Sequence, residues 1–330
     1  MPLEPDSAPR FDPLFQSDAA GFDPVAMTAC SRCLRNNPPD RCDCIYCGHA
    51  LEIDPERHNV KVVLRELESW ERGWNLIVRP ASGHIDLAGI AALLAVDEES
   101  VRQAFATEMP IPLVRVENEA KAKVVAKKLA TLGLNCLELS DDVLIGDRPP
   151  VRIRRIDIED FRLRLQDFNT SAVAMIERSE LALVVVGTLI SRTTETTEKK
   201  RGSGTSVLDH TATSLDESVI DLYTRTDQIG YRAHVVGFDF SCLGPDKSLL
   251  ATTNILRLAE VISEFAPAAV VNDQYERVRP FLDGVWKFDS RTDRKGSNRT
   301  GFGNRKYARV GSTNNLTQFT KFSRLQWHLL

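Results

Sequence analysis

The sequence predicts an α+β chain built from several modules. Three features predict it: a run of cysteines near the front, a compact alternation of strand and helix patterns between residues 74 and 139, and a shift to strand-like alternation after residue 150. At 330 residues the chain exceeds one ordinary core. Its apolar and charged fractions, 42% and 27%, are those of a folded globular protein. A net charge of -4 argues against wholesale electrostatic binding to nucleic acid or anionic lipid but leaves room for a local basic patch.

Residues 1–28, rich in Pro, Asp, Ser and Ala, read as a disordered tail. No apolar run reaches the length of a bilayer span, and Glu4 and Asp6 stand where a signal peptide would be basic. The cytoplasm is the expected compartment, so the seven cysteines are expected as thiols or metal ligands rather than disulfides.

A small α+β domain is expected over 60–145. Val60 to Arg72 is polar and helix-prone, and Asn75 to Arg79 reads as a strand ending at Pro80. Ile85 to Leu94 and Glu98 to Ala106 carry helical spacing, with Asp97 as N-cap of the second helix. Ile111 to Val116 alternates as a strand. Glu117 to Leu132 is amphipathic, with Ala122, Val125, Ala126 and Leu129 on one face and Lys121, Lys123, Lys127 and Lys128 on a solvated one. Gly133 ends that helix, and Asn135 to Leu139 closes the β-α-α-β-α-β order.

A linker over 141–150 leads to a β-rich α+β domain expected over 151–289, mainly antiparallel with helices at its C-terminal end. Val151 to Ile158 and Phe161 to Leu165 alternate at period two, and Leu181 to Ile190 reads as a buried central strand. Residues 191–217, full of Thr, Ser and Gly, read as a long loop or flexible hairpin tip. Strands are expected at Ser218 to Tyr223 and Tyr231 to Phe240, then helices at Thr253 to Phe265 and Tyr275 to Leu282. Residues 290–330 read as a mobile basic tail in which Arg299, Arg305, Lys306 and Arg309, with Arg291, Arg294 and Lys295, face almost no acid.

The cysteines carry the sharpest chemistry. The pattern is Cys30-x-x-Cys33, eight residues, then Cys42-x-Cys44-x-x-Cys47-Gly48. Two Cys-x-x-Cys turns offer one ion four thiolates at the corners of a tetrahedron, with no open position. Leu34 to Arg41, containing Asn36-Asn37-Pro38-Pro39-Asp40, reads as a hairpin tip between them. Residues 29–50 resemble a short zinc ribbon through Cys30, Cys33, Cys44, Cys47 and Gly48, which implies structural Zn2+ and no particular activity. Cys42 is a substitute ligand for Cys44 or a spare thiol, and His49 a weaker donor.

Two further resemblances concern layout. The element order, with Met109 to Val116 leading into the Lys-rich helix and Leu132-Gly-Leu-Asn-Cys136, is similar to the C-terminal domain of the ribosomal stalk protein L7/L12. It implies a fold and no binding residues, since the stalk family's Gly- and Lys-rich helix turn has no counterpart near Ala88 to Leu94. The long alternating strands followed by a helix are compatible with a pleckstrin-homology-like sheet closed by one helix.

No phosphate loop, metallohydrolase His pair or nucleophile elbow occurs. The weak catalytic candidates are Asp239 as base, Cys242 as nucleophile and His234 as partner, in Gly237 to Gly244 and the strand before it. The plainer reading packs Phe238 and Phe240 inward, and likewise makes Cys136 a small core residue. Three functions follow in order: a non-enzymatic zinc-containing binding or regulatory protein docking protein partners; a nucleic-acid- or ribosome-associated factor using the ribbon and basic tail; and an enzyme centred on Asp239 and Cys242.

Overall fold

The structure, a computed structural model, describes residues 27–38, 41–52, 64–79, 84–201, 204–299 and 304–330. The expected N-terminal tail lies outside the described residues except for Met27 and Thr28. The chain divides into two units, residues 1–62 and 63–330. The described part of the first is a minimal hairpin, β1 (Thr28–Ala29) paired antiparallel with β2 (Asn36–Asn37), followed by a second turn over 43–50.

The second unit opens with β3 (Trp74–Val78), α1 (Leu87–Leu94), α2 (Glu98–Ala106), β4 (Ile111–Val116), α3 (Glu119–Thr131) and β5 (Cys136–Ser140), as the sequence pattern predicts. The strands form an antiparallel sheet of order β4-β3-β5. Side chains of Asp86, Asp97 and Asn118 cap the three helices by accepting from free first-turn amides. Gly133 stops α3 at φ 86°, a backbone conformation that a residue with Cβ adopts at a cost. Residues 64–72 form no helix, and Lys121 is not on a solvated face: it is buried and ion-paired with Glu117 at 2.9 Å.

After α4 (Asp141–Ile145) comes a nine-stranded mixed sheet. It contains β6 (Val151–Ile158), β7 (Arg162–Asp167), β8 (Val173–Glu177), β9 (Leu181–Arg201), β10 (Gly204–Thr224), β11 (Tyr231–His234), β12 (Val270–Asn272), β13 (Asp289–Arg299) and β14 (Asn304–Asn314). The order is β13-β14-β9-β10-β11-β6-β7-β8, with β12 beside the first half of β9; the β11–β6 and β12–β9 pairs are parallel. Helix α5 (Ala251–Phe265) buries Ile255, Leu258 and Ile262 against Ile153, Leu163, Val184 and Ile220. Two more helices, α6 (Tyr275–Leu282) and α7 (Leu316–His328), complete the unit. Gly187 lets them come close to the sheet, since a Cβ there would sit 2.4 Å from the Phe319 ring. The sheet is larger than a layout closed by one helix, and its parallel pairs depart from a purely antiparallel plan.

Two further expectations are corrected. Residues 191–217 are not a loop: β9 and β10 run 21 residues each and pair through to Arg201 and Gly204. Thr and Ser favour the pleated backbone, and the absence of apolar alternation reflects side chains exposed on both faces over 211–216 rather than absence of a strand. Nor are residues 290–330 a mobile tail. They form the β13–β14 hairpin, which extends β9, and then α7, buried without a break from Gln318 to Gln326.

Helix α7 also explains why the expected boundary near residue 145 does not separate two units. Lys321 reaches Asp141 with Nζ 2.7 Å from Oδ1, while Arg115 binds Oδ2 through Nε at 2.8 Å and Nη2 at 2.6 Å. Gly73 N and Asn75 Nδ2 donate to the same carboxylate at 2.9 and 3.0 Å, and Trp286 Nε1 donates to Asn75 Oδ1 at 2.7 Å. Burial acts to raise the Asp141 pKa, but Lys321, Asn75 and Arg115 outweigh it and hold the carboxyl below its ordinary range. Among the described residues, no helix is long and apolar enough to cross a membrane.

Candidate metal centre

The two Cys-x-x-Cys turns fold alike. In the first, Cys30 N donates to Arg35 O at 3.0 Å and Leu34 N to Cys30 O at 2.9 Å. In the second, Cys44 N donates to His49 O at 2.8 Å and Gly48 N to Cys44 O at 2.9 Å. The residue four after the leading cysteine is left-handed in both: Leu34 at φ 60° and Gly48 at φ 69°. The hairpin tip is therefore the first cysteine turn itself, not Leu34 to Arg41; Asn36 and Asn37 form the returning strand.

Asn37 joins the two turns. It is fully buried; its Nδ2 donates to Arg35 O at 2.9 Å and its Oδ1 accepts from Ile45 N at 2.8 Å. The sequence reading took it as a turn residue, and only its burial and pairing reveal this bracing.

This frame gathers the sulfurs of Cys30, Cys33, Cys44 and Cys47 within 4.8 Å of one another. The closest pairs are Cys30–Cys47 at 3.6 Å and Cys33–Cys44 at 3.5 Å. A tetrahedron with metal–sulfur bonds of about 2.3 Å has sulfurs about 3.8 Å apart, so the cluster can bind one metal ion. Cys42 is buried but does not belong to the gathered set, and neither does His49. All seven cysteines are outside disulfides. Burial acts to raise the Cys44 thiol, yet the Tyr46 and Cys47 amides and the Asn37 side chain bring it down to about 6. Cys47 moves the other way: the His49 amide lowers it, but burial and the three adjacent sulfurs push it up to about 12. Mutual repulsion keeps all four from ionising together unless a cation takes up the charge.

Each catalytic candidate has its own surroundings. His234 Nδ1 lies 3.3 Å from Glu217 Oε1. Asp239 caps the 3-10 segment Phe240–Asp246, accepting from Ser241 N at 3.0 Å and Ser241 Oγ at 3.1 Å. Burial pushes the Cys242 thiol up, and Asp239 and Asp157 add to that, the reverse of nucleophile activation. Phe238 and Phe240 pack edge to face in the core with centroids 4.9 Å apart. Cys136 is partly buried, and burial, with Glu138, pushes its thiol up to about 12. Two cavities, of about 330 and 590 Å3, are lined by none of His234, Asp239 or Cys242.

The basic candidates sit on strands. Arg299 pairs with Arg305, Lys306 with both Asn298 and Lys199, and Arg309 with Arg294 and Thr196. Phe319 and Phe322, interleaved with the basic residues in sequence, are core residues of α7.

No family model matches the chain, and neither does any curated protein or solved structure. The resemblance to the ribosomal stalk domain gains no support from these comparisons.

Proposed function

We propose that the chain is a zinc-containing binding or regulatory protein whose ribbon holds one structural Zn2+ and docks a protein partner. The observation that carries this reading is the donor set. All four corners are cysteine sulfurs on two braced turns, so no position remains for water or substrate. Four soft sulfurs in a tetrahedron favour zinc over oxygen-seeking cations. The module's own apolar core is Cys30, Cys44 and Leu51, too little to hold it folded without metal. Its turn tips present large apolar side chains to solvent: Leu34 is 81% exposed, Ile45 49% and Tyr46 52%, with the Arg35 guanidinium 4.8 Å from the Tyr46 ring centre. Untagged protein purified under reducing conditions is expected to hold one zinc per chain by elemental analysis. A photo-crosslinker at position 34 or 46 is expected to trap one discrete protein in cells, and the same crosslinker at exposed Phe161 is not. Absence of zinc overturns the metal assignment; zinc without a discrete adduct overturns docking by the ribbon.

A second reading rests on the register of the long hairpins. β14 lies beside β9 so that Lys199, Lys200 and Arg201 align with Lys306, Arg305 and Asn304, next to Arg299 on β13. Residues 199–208 and 294–308 contain no Asp or Glu, in a chain of net charge -4. A basic strand end of this kind suits a phosphate backbone. Affinity for duplex or single-stranded nucleic acid is expected to fall steeply with salt. It is expected to weaken further when Lys199, Lys200, Arg305 and Lys306 become Glu; unchanged affinity defeats this reading.

A further inference from the structure

A buried arginine whose nearby carboxylate is committed to another arginine marks a second site, independent of the ribbon. Arg324 on α7 is 1% exposed. Its Nη2 donates to the backbone carbonyls of Arg148 at 2.6 Å and Ile229 at 3.4 Å. Its Nε and Nη1 are buried without a hydrogen-bond partner. The carboxylate nearest in role, Asp221, is taken by Arg232 through bonds of 2.6 and 2.7 Å. A guanidinium bonded to two carbonyls through one nitrogen, with Tyr223 and Asp221 acting on it only in part, carries a desolvation penalty that an anion would offset.

The surroundings give such an anion room. Arg324 lines a cavity of about 590 Å3, within the range of small-molecule pockets, between the loops at 146–148 and 226–229 and the end of α7. His328, one helical turn beyond Arg324 and so on the same face, lines it too, with Nε2 buried and unpartnered. Trp327 supplies an apolar wall, fixed by its Nε1 donating to Thr224 O at 2.8 Å. Gly146 brings its loop against the guanidinium: a Cβ there would lie 2.6 Å from Nη1. Asp147 and Asp227 also line the cavity, and Asp227 Oδ1 accepts from Ile229 N at 2.8 Å. Against Arg148 and Arg324, which line it as well, these two acids leave no large excess of either sign, which suits a ligand with a single anionic group better than a polyanion.

We propose that this cavity binds a small organic molecule through one oxyanion group, carboxylate or phosphate, with Arg324 as the charge partner, His328 as a second polar contact and Trp327 against the ligand body. The test is calorimetric titration of the full-length protein with inorganic phosphate, phenyl phosphate and benzoate at fixed ionic strength, chloride serving as control. Saturable binding of a phosphate or carboxylate probe is expected, and the stronger series identifies the group. Arg324→Gln is expected to weaken binding about tenfold or more, as loss of a charged hydrogen bond does. His328→Ala, nearer the helix end, tests the site without removing the buried charge and is expected to weaken binding several-fold while leaving the melting temperature close to wild type. No saturable binding by any probe overturns the proposal. So does binding that survives His328→Ala and Arg324→Gln unchanged.

Discussion

Asp141→Asn is the sharpest single perturbation of the second unit. The Asp141 side chain is fully buried and receives Gly73 N, Asn75 Nδ2, Arg115 Nε and Nη2, and Lys321 Nζ, all within 2.6–3.0 Å. Asparagine keeps the shape but removes the charge and turns an amide NH2 toward donors. Arg115 and Lys321 are then two buried cations facing no carboxylate. Breaking a buried ion pair from one side costs about 3–5 kcal/mol, a large share of the roughly 5–15 kcal/mol that holds a typical domain folded. For a unit of this size the loss corresponds to a melting temperature lower by about 6–20 °C. Urea unfolding followed by tryptophan fluorescence reads it directly, because Trp286 hydrogen-bonds Asn75 and lies 5.7 Å from the Lys321 ammonium. Lys321→Met in the Asp141→Asn background removes one orphaned cation and is expected to recover part of the loss, so the two substitutions are non-additive. A loss below about 1 kcal/mol with an unchanged denaturant slope would refute the assignment of Asp141 as the hub. Strict additivity in the double variant would refute the coupling.

Three further outcomes are expected. Burial brings the Lys321 pKa down to about 8 despite Asp141, so between about pH 8 and the ordinary lysine value near 10.4 the unfolded chain holds a proton that the folded chain does not. The Lys321 contribution to stability therefore rises with pH across that window, and subtracting the Lys321→Met curve from wild type in urea titrations at pH 7.5, 9 and 10 shows or fails to show the rise. Cys33→Ser, or chelation at neutral pH, is expected to abolish amide-exchange protection over residues 27–52 while the melting of residues 63–330 stays within about 1 °C. Leu34→Gly should tighten zinc binding several-fold in chelator competition, because the left-handed φ of 60° costs leucine about 1–2 kcal/mol that glycine avoids; weaker binding would mean that Leu34 packs rather than merely turns.

What the sequence made legible, and what it concealed, follows the range over which each residue finds its partner. The cysteine turns close within six residues, so Cys30, Cys33, Cys44 and Cys47 could be read from spacing alone, as could the caps at Asp97 and the stop at Gly133. The bracing by Asn37 could not, because its acceptor role toward Ile45 exists only after the chain has turned back. The misread segments share one cause. Over 191–197 of β9 and 211–216 of β10 neither face is buried continuously, so these stretches lack the alternation that announces a half-buried strand; they are held by backbone pairing of β9 with β10 on one side and β14 on the other. In α7, Lys321 and Arg324 look like solvent-facing charges until Asp141 and the carbonyl of Arg148, far away in sequence, are brought to them. The two cations differ in a way that separates structure from function. Lys321 is buried opposite a carboxylate of the protein itself, and that pairing ties α7 to α4 at the start of Asp141–Ile145. Arg324, three residues on and equally buried, is hydrogen-bonded to carbonyls rather than to a carboxylate and borders a cavity. A chain that pairs one buried charge with its own carboxylate and leaves its neighbour with idle donors has left that neighbour's partner to come from outside.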